Sequence, residues 1–368
     1  MMKYSIAAVL LLATFACTSI QNSRDKTPET PTNIIFLIGD GMGLSEVSTA
    51  FYFSEEPSQF NRFRHIGLIR SSSATHKVTD SGASGTAMAT GRKTYNGAIG
   101  VDTLKTPVQN ITELTSALGW STGVVATSTI THATPASFYG HVEQRSMEET
   151  LALQLLNSEI DFFAGGGIDL FNNRKDSTDL FPLAAEKGFI LDTTALPAPG
   201  SLKPGQKYGF MLAGGGMPSM LHKRGDFLSE ATTLALEQLS HNEKGFFLMV
   251  EGSQIDWEGH ANSAEGIVAE VLDFETAIAA ALDFAEKDGH TLVVVSADHE
   301  TGGLALAARL NTETGERDSR EVGLEFATSG HSATLLPVFA YGPGAENFKG
   351  IYENTELFHK MAALAGIK

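Results

Sequence analysis

From residue 33 onward the chain alternates between short runs of β-branched and aromatic residues and longer stretches in which apolar residues return every three or four positions. Runs of the first kind, at 33–38, 123–127, 161–164, 246–250, 291–296 and 337–341, predict strands. The clearest stretch of the second kind, 263–287, carries Ile267, Val271, Phe274, Ile278, Ala281 and Phe284 on one face and predicts a helix packed on a core. Regular exchange of the two patterns predicts an α/β protein, with a large, mostly parallel central sheet flanked by helices on both faces in three layers. The polar stretch 311–321 predicts a surface hairpin or loop.

Several predicted strands end directly in a polar group: Asp40 after the first, Glu251 after 246–250, Asp298 and His299 after 291–296. In open α/β sheets ligands bind at the carboxyl ends of strands, so residues far apart in sequence meet there.

Ahead of residue 33 the pattern changes. Lys3 is followed by an apolar stretch, 6–16, too short to span a bilayer, and 1–17 reads as a signal peptide. Cys17 is the one cysteine of the chain and stands where a bacterial lipoprotein is cleaved and acylated, although Thr14 occupies a position where Leu is more usual. Ordinary cleavage is the alternative. The polar 18–32, with Pro28 and Pro31, predicts a tether, which leaves 33–368 as a single large domain. The product expected is an exported protein, periplasmic, secreted or held to a membrane through a lipid anchor at Cys17.

Net charge is -17, with no basic run, which argues against a nucleic-acid-binding module. A small anionic substrate would need a local positive centre, and metal ions supply one.

Candidate ligands for such ions fall into short clusters. Asp256 and His260 stand four apart after a predicted strand, a spacing that brings both to one cation if the segment is helical; unaided, such a pair is more often a surface pair. Asp298 and His299 leave a strand and run into Gly302 and Gly303, where the plain alternative is a polar turn. His331 lies between small residues, a setting commoner for a solvated loop histidine. Asp40 sits within Gly39-Asp40-Gly41-Met42-Gly43, where glycines let backbone approach a ligand.

The run of small residues 78–91 suits a helix beginning near Ser81. A serine there faces free N–H groups and the positive end of the helix dipole, a place that favours an anion; a plain helix cap by Asp80 or Ser81 is the commoner use. Further on, Thr131-His132-Ala133-Thr134-Pro135 leads to Arg145, whose planar fork can grip two phosphate oxygens or form a surface salt bridge.

With all of these motifs in order from 33 to about 364, the sequence resembles the alkaline phosphatase family. It is most similar to the compact, cold-active enzymes of marine and Antarctic bacteria, sharing Thr131-His132-Ala133-Thr134-Pro135-Ala136-Ser137-Phe138-Tyr139 and Asp161-Phe162-Phe163-Ala164-Gly165-Gly166-Gly167. That resemblance implies two zinc ions and one magnesium. Asp256, His260 and His331 would hold the first zinc; Asp40, Asp298, His299 and the Ser81 oxygen the second; Asp40, Thr134 and Glu251 the magnesium. The donor types agree, since imidazole suits zinc and an all-oxygen set suits magnesium. It further implies hydrolysis of small phosphate monoesters, Ser81 as nucleophile through a covalent phosphoserine, Arg145 gripping phosphate oxygens, and a homodimer.

Two positions depart from the enteric bacterial pattern, where Asp and Lys stand in place of His132 and Trp257. Tryptophan supplies no charge, so product phosphate should leave sooner. A composition of 37 glycines and 12 prolines is richer in the first and poorer in the second than the usual roughly 7% and 5%, which suits a cold-adapted protein of modest thermal stability.

A phosphodiesterase, phosphonoesterase or sulfatase of the same superfamily is the neighbouring reading; Ser81, Arg145, Thr134 and Glu251 favour the monoesterase. A non-catalytic phosphate- or metal-binding lipoprotein would lack a ligand or the nucleophile, and none is missing.

Overall fold

The computed structural model describes residues 30–367. The expected signal peptide, Cys17 with its expected lipid anchor, and most of the expected tether lie outside the described residues. Among those described, no helix is long and apolar enough to cross a membrane.

Among the described residues fourteen strands follow in chain order: β1 Asn33–Gly39, β2 His65–Arg70, β3 Ser121–Thr129, β4 Phe162–Gly166, β5 Phe189–Asp192, β6 Lys207–Met211, β7 Phe246–Gly252, β8 Thr291–Ala297, β9 Glu300–Thr301, β10 Leu304–Leu310, β11 Arg317–Phe326, β12 His331–Ser332, β13 Leu336–Tyr341 and β14 Gly350–Glu353. Ten of them form one sheet in the order β14-β2-β13-β8-β1-β7-β3-β4-β6-β5. All neighbours run parallel except β13, which is antiparallel to both β2 and β8. The sandwich expected from the sequence is therefore present, with one reversed strand.

The reversal has a local cause. Strand β12 pairs with β9 just beyond the carboxyl end of β8, and only a short link separates Ser332 from Leu336. A chain that re-enters the sheet at that end must run back down it.

The central strands β1, β7 and β8 are buried along their whole length because helices cover both faces, so their sequences are nearly continuous apolar runs rather than alternating ones. The predicted amphipathic segment is helix Ala264–Asp288, capped by Ser263, whose hydroxyl accepts from the Gly266 N–H, and ended by Gly289 in the left-handed conformation at φ 75°. Ile267, Val271, Phe274, Ile278 and Ala281 are buried as expected, while Phe284 is only partly so. Stretch 311–321 is the turn between β10 and β11 together with the first residues of β11, an antiparallel hairpin.

One buried ion cluster positions a loop over the carboxyl end of the sheet. Arg224, fully enclosed, is bonded to Glu270 and lies 2.7 Å from Asp273 Oδ2, both carboxylates also being buried on helix Ala264–Asp288. Arg224 Nη1 donates to the Pro218 carbonyl at 3.1 Å and Glu270 accepts from the Met220 N–H at 2.8 Å. The loop before it is thereby held against Trp257, so closely that a Cβ on Gly216 would fall 2.6 Å from the indole ring.

Candidate active site

Helix Ser81–Thr90 begins where its sequence suggests. Asp80 is the N-cap, its carboxylate accepting from the Ala83 N–H at 3.0 Å, and Ser81 is the first helical residue. The two readings of this turn are thus compatible: Asp80 caps, and the cap leaves Ser81 at the positive end of the dipole. The small residues of this helix allow tight packing, since a Cβ on Gly85 would lie 2.8 Å from Ser137 Oγ beside helix Ala133–Ala136. Gly91, at φ 70°, ends the helix.

Around Ser81 the ends of β1, β3, β7 and β8 bring three groups of donors together. In the first, His260 Nε2 lies 3.4 Å from Asp256 Oδ1 and 3.1 Å from His331 Nε2, while His331 Nε2 is 3.5 Å from Asp256 Oδ1. Residues Gln254–His260 are helical, the condition under which the four-residue spacing was expected to work. In the second, His299 Nε2 lies 3.2 Å from Ser81 Oγ, 3.4 Å from Asp40 Oδ1 and 3.3 Å from Asp298 Oδ2. In the third, Thr134 Oγ1 is 3.5 Å from Asp40 Oδ2. Donor atoms of Asp40, Glu251 and His132 there lie within 4.8 Å of one another. Asp40 bridges the second and third groups, one oxygen to each.

Four polar atoms at this centre are buried without a hydrogen-bond partner: Asp40 Oδ1, Asp298 Oδ2, Glu251 Oε1 and His132 Nδ1. Buried polar groups are ordinarily paired, and an unpaired carboxylate in low dielectric is costly. The ionisation equilibria show the strain. Burial, then the charges of Asp298, Asp256 and Glu251, push the Asp40 carboxyl well above the usual range. Burial raises Asp298 as well, and raises Glu251 to about 7. His299 is driven down to about 3 by burial, which leaves its imidazole neutral and able to donate a lone pair. Clustered carboxylates and neutral imidazoles with unpaired atoms turned to a common space form a donor set that cations satisfy.

Arg145 is held at the edge of this space. Its Nη1 is 3.2 Å from Asp80 Oδ2 and its Nη2 is 3.0 Å from His132 Nε2. The backbone is pinned too, Arg145 N–H donating to the Gly97 carbonyl at 2.7 Å while the Gly97 N–H donates to Asp80 at 3.0 Å. The sequence offered a phosphate grip or a surface ion pair for Arg145; it makes an ion pair, and that pair aims it. Trp257, partly exposed, meets His132 edge-on with ring centroids 6.1 Å apart.

The candidate site residues named from the sequence among those described converge on this one region. His132 was expected only beside the substrate, and its unpaired Nδ1 also enters the third donor group. Two hydroxyls that the sequence did not single out bind the other Glu251 oxygen: Ser253 Oγ at 2.5 Å and Ser128 Oγ at 3.2 Å. Serines beside a strand end carry no signal of their own. Size of cavity is no guide either, since an open groove of about 910 Å³ between helices Phe227–Leu239 and Ala264–Asp288 contains none of these groups.

A three-layer α/β sandwich with a cation-binding cluster at its strand ends is the layout of a hydrolytic metalloenzyme. The chain belongs to the alkaline phosphatase family, whose model matches residues 31–322 and 305–367. Alkaline phosphatase 4 of Bacillus subtilis is 34% identical over 402 residues, covering 88% of this chain and 86% of its own. The alkaline phosphatase of Escherichia coli K12 is 33% identical over 425 residues, covering 94% and 88%. Among solved structures, the alkaline phosphatase of the Antarctic bacterium TAB5 superposes with a TM-score of 0.90 at 50% identity, over 92% of this chain and 98% of that one. A histidine-to-aspartate mutant of the TAB5 enzyme, described with magnesium bound in its M3 site, gives 51% and 0.90 over 92% and 99%. The cold-active alkaline phosphatase of a psychrophilic Shewanella gives 31% and 0.81 over 90% and 99%.

Proposed function

We propose that this enzyme hydrolyses phosphate monoesters to an alcohol and inorganic phosphate through a phosphoserine on Ser81, at a centre holding two zinc ions and one magnesium. Asp256, His260 and His331 would hold one zinc, and Asp40, Asp298, His299 and Ser81 Oγ the other. Asp40, Thr134 and Glu251 would hold magnesium, with His132 beside them. The observation that carries the reading is the set of four unpaired buried donor atoms gathered next to a serine at a helix N-terminus.

Bound cations would supply Lewis-acid stabilisation of the phosphoryl and leaving oxygens and lower the pKa of hydroxyl and water nucleophiles. The chain's own groups do the rest. Ser81 Oγ, its proton passed to solvent water, attacks phosphorus in line; the ester P–O bond breaks and the leaving alkoxide takes a proton back from solvent, so the alcohol departs with no net change in protons. Arg145 binds two non-bridging oxygens through charge-assisted bonds, held to that geometry by Asp80 and His132. The free N–H groups of the first turn face the same oxygens. Water then attacks the phosphoserine, breaks the P–Oγ bond and returns Ser81, releasing phosphate.

Export through the 1–17 signal, a lipid anchor at Cys17 and a homodimeric assembly belong to the same reading, as does cold activity, supported by the likeness to the TAB5 and Shewanella proteins. Elemental analysis together with rates on an aryl phosphate monoester and the matching diester tests the proposal. Two zincs, one magnesium and a much faster monoester rate are expected; preference for the diester would move the enzyme to the phosphodiesterase reading.

A further inference from the structure

Thr301 is buried, carries no charge and has no place in the three donor groups, yet it lies against the segments that carry Asp40, Asp256, His299 and His331. On β9 it stands opposite His331 of β12. Its N–H donates to the Gly41 carbonyl at 3.1 Å, next to Asp40. A Cβ on Gly41 would lie 2.9 Å from Thr301 Oγ1 and 2.7 Å from the Asp256 backbone, so the glycine there is what lets the loop close over the hydroxyl.

The hydroxyl itself has two partners. Thr301 Oγ1 lies 2.5 Å from Asp256 Oδ1 and 3.1 Å from His299 Nδ1. An ionised carboxylate can only accept, so the single hydroxyl proton goes to Asp256. The Thr301 oxygen is then an acceptor toward His299, and Nδ1 must carry the imidazole proton. The opposite tautomer would turn the hydroxyl proton to His299, leave Asp256 Oδ1 without it, and place an N–H at Nε2 among Asp40 and Asp298.

We infer that Thr301 is a positioning residue that couples the two zinc donor groups, through a chain running from His299 Nδ1–H to Thr301 Oγ1 and from Thr301 Oγ1–H to Asp256 Oδ1. It fixes the tautomer in which His299 Nε2 presents its lone pair beside Ser81 Oγ, and with the same proton it orients Asp256 between His260 and His331. One hydroxyl therefore sets a ligand in each group. Carboxylate and hydroxyl partners behind metal ligands commonly contribute about 10–100-fold to metal affinity. The inference rests on the metal reading given above.

The test uses the zinc-loaded full chain. Chelator competition resolves the affinities of the two zinc ions in wild type, Thr301→Val and Thr301→Ser, and long-range proton–nitrogen NMR on histidine-labelled protein reports which His299 nitrogen is protonated. Expected are a fall of about 10–100-fold at both zincs in Thr301→Val, recovery of most of it in Thr301→Ser, and an Nδ1–H signature for His299 in wild type. Unchanged affinity in Thr301→Val, or loss at one zinc alone, overturns the coupling. A wild-type His299 protonated at Nε2 overturns it without any variant, so a failure of Thr301→Val to fold leaves the inference exposed. A wild-type chain that takes up no zinc overturns the metal reading instead, and the two failures are distinct.

Discussion

His132 accepts a hydrogen bond from Arg145, its Nε2 lying 3.0 Å from the guanidinium Nη2, while its other nitrogen is unpaired toward Asp40 and Glu251. Burial and the Arg145 charge drive the imidazole down to about 3, so it stays neutral across the working range of the enzyme. Replacing it by Asp changes both relations. The third donor group becomes all oxygen, and a second anion is set against Arg145 in competition with phosphate. His132→Asp should raise the magnesium-to-zinc ratio of the loaded protein and weaken phosphate inhibition, as read by elemental analysis and inhibition constants.

Ser81 is nearly fully buried at the first turn of its helix, and its hydroxyl is not the cap. Ser81→Ala should therefore keep the fold and the other donors. Turnover of a phosphate monoester should fall by at least about 10³-fold, since the proposed nucleophile is lost while positioning remains. A variant within tenfold of wild type would remove Ser81 from the reaction, and trapping of radiolabelled phosphate on wild type but not on Ser81→Ala provides the second readout.

Trp257 closes one side of the site and is wedged against Gly216 by a loop anchored through buried Arg224. It contributes area but no charge. Trp257→Lys would put a cation near bound phosphate, so product inhibition should tighten and release should slow. An inhibition constant equal to or weaker than that of wild type would show that the indole does not govern phosphate retention.

Removing the cations should cost stability, and the cost should depend on pH. Without them, native Glu251 holds its proton up to about 7, whereas in the unfolded chain it releases it near 4.5. Between those values the native state binds more protons than the unfolded one, so stability falls as pH rises through that window. Asp40 and Asp298 shift in the same direction. Bound cations pair these charges and flatten the slope. The melting-temperature gap between loaded and chelated protein should be wider at pH 8 than at pH 5; a gap that narrows would contradict the sign of these shifts.

The sheet's centre was readable because strands buried on both faces write themselves as apolar runs, as in β1, β7 and β8. Strands such as β2 and β14 were not read. β2 alternates weakly along His65–Arg70 with Gly67 in its middle, where a Cβ would fall 2.1 Å from the Phe348 carbonyl. β14 is short and exposed at the sheet edge. At the site, the candidate donors were legible because they cluster after strands and match a family pattern. Thr301, Ser128 and Ser253 were not, because a hydroxyl gains its role from what stands across from it in space. Asp80 was read only as a helix cap; its second partner, Arg145, is 65 positions away.

The reversed strand β13 has a consequence for the order in which the enzyme becomes competent during synthesis. Ser81 and Asp40 emerge early, but His331 is delivered only when β12 pairs with β9 and β13 turns back into the sheet. A chain still emerging, or one cut short before that turn, carries Ser81 and the clustered carboxylates without His331, which the proposed reading makes a metal ligand. Competence is gated by the final tenth of the polypeptide, so nascent and truncated forms should be silent toward phosphate esters.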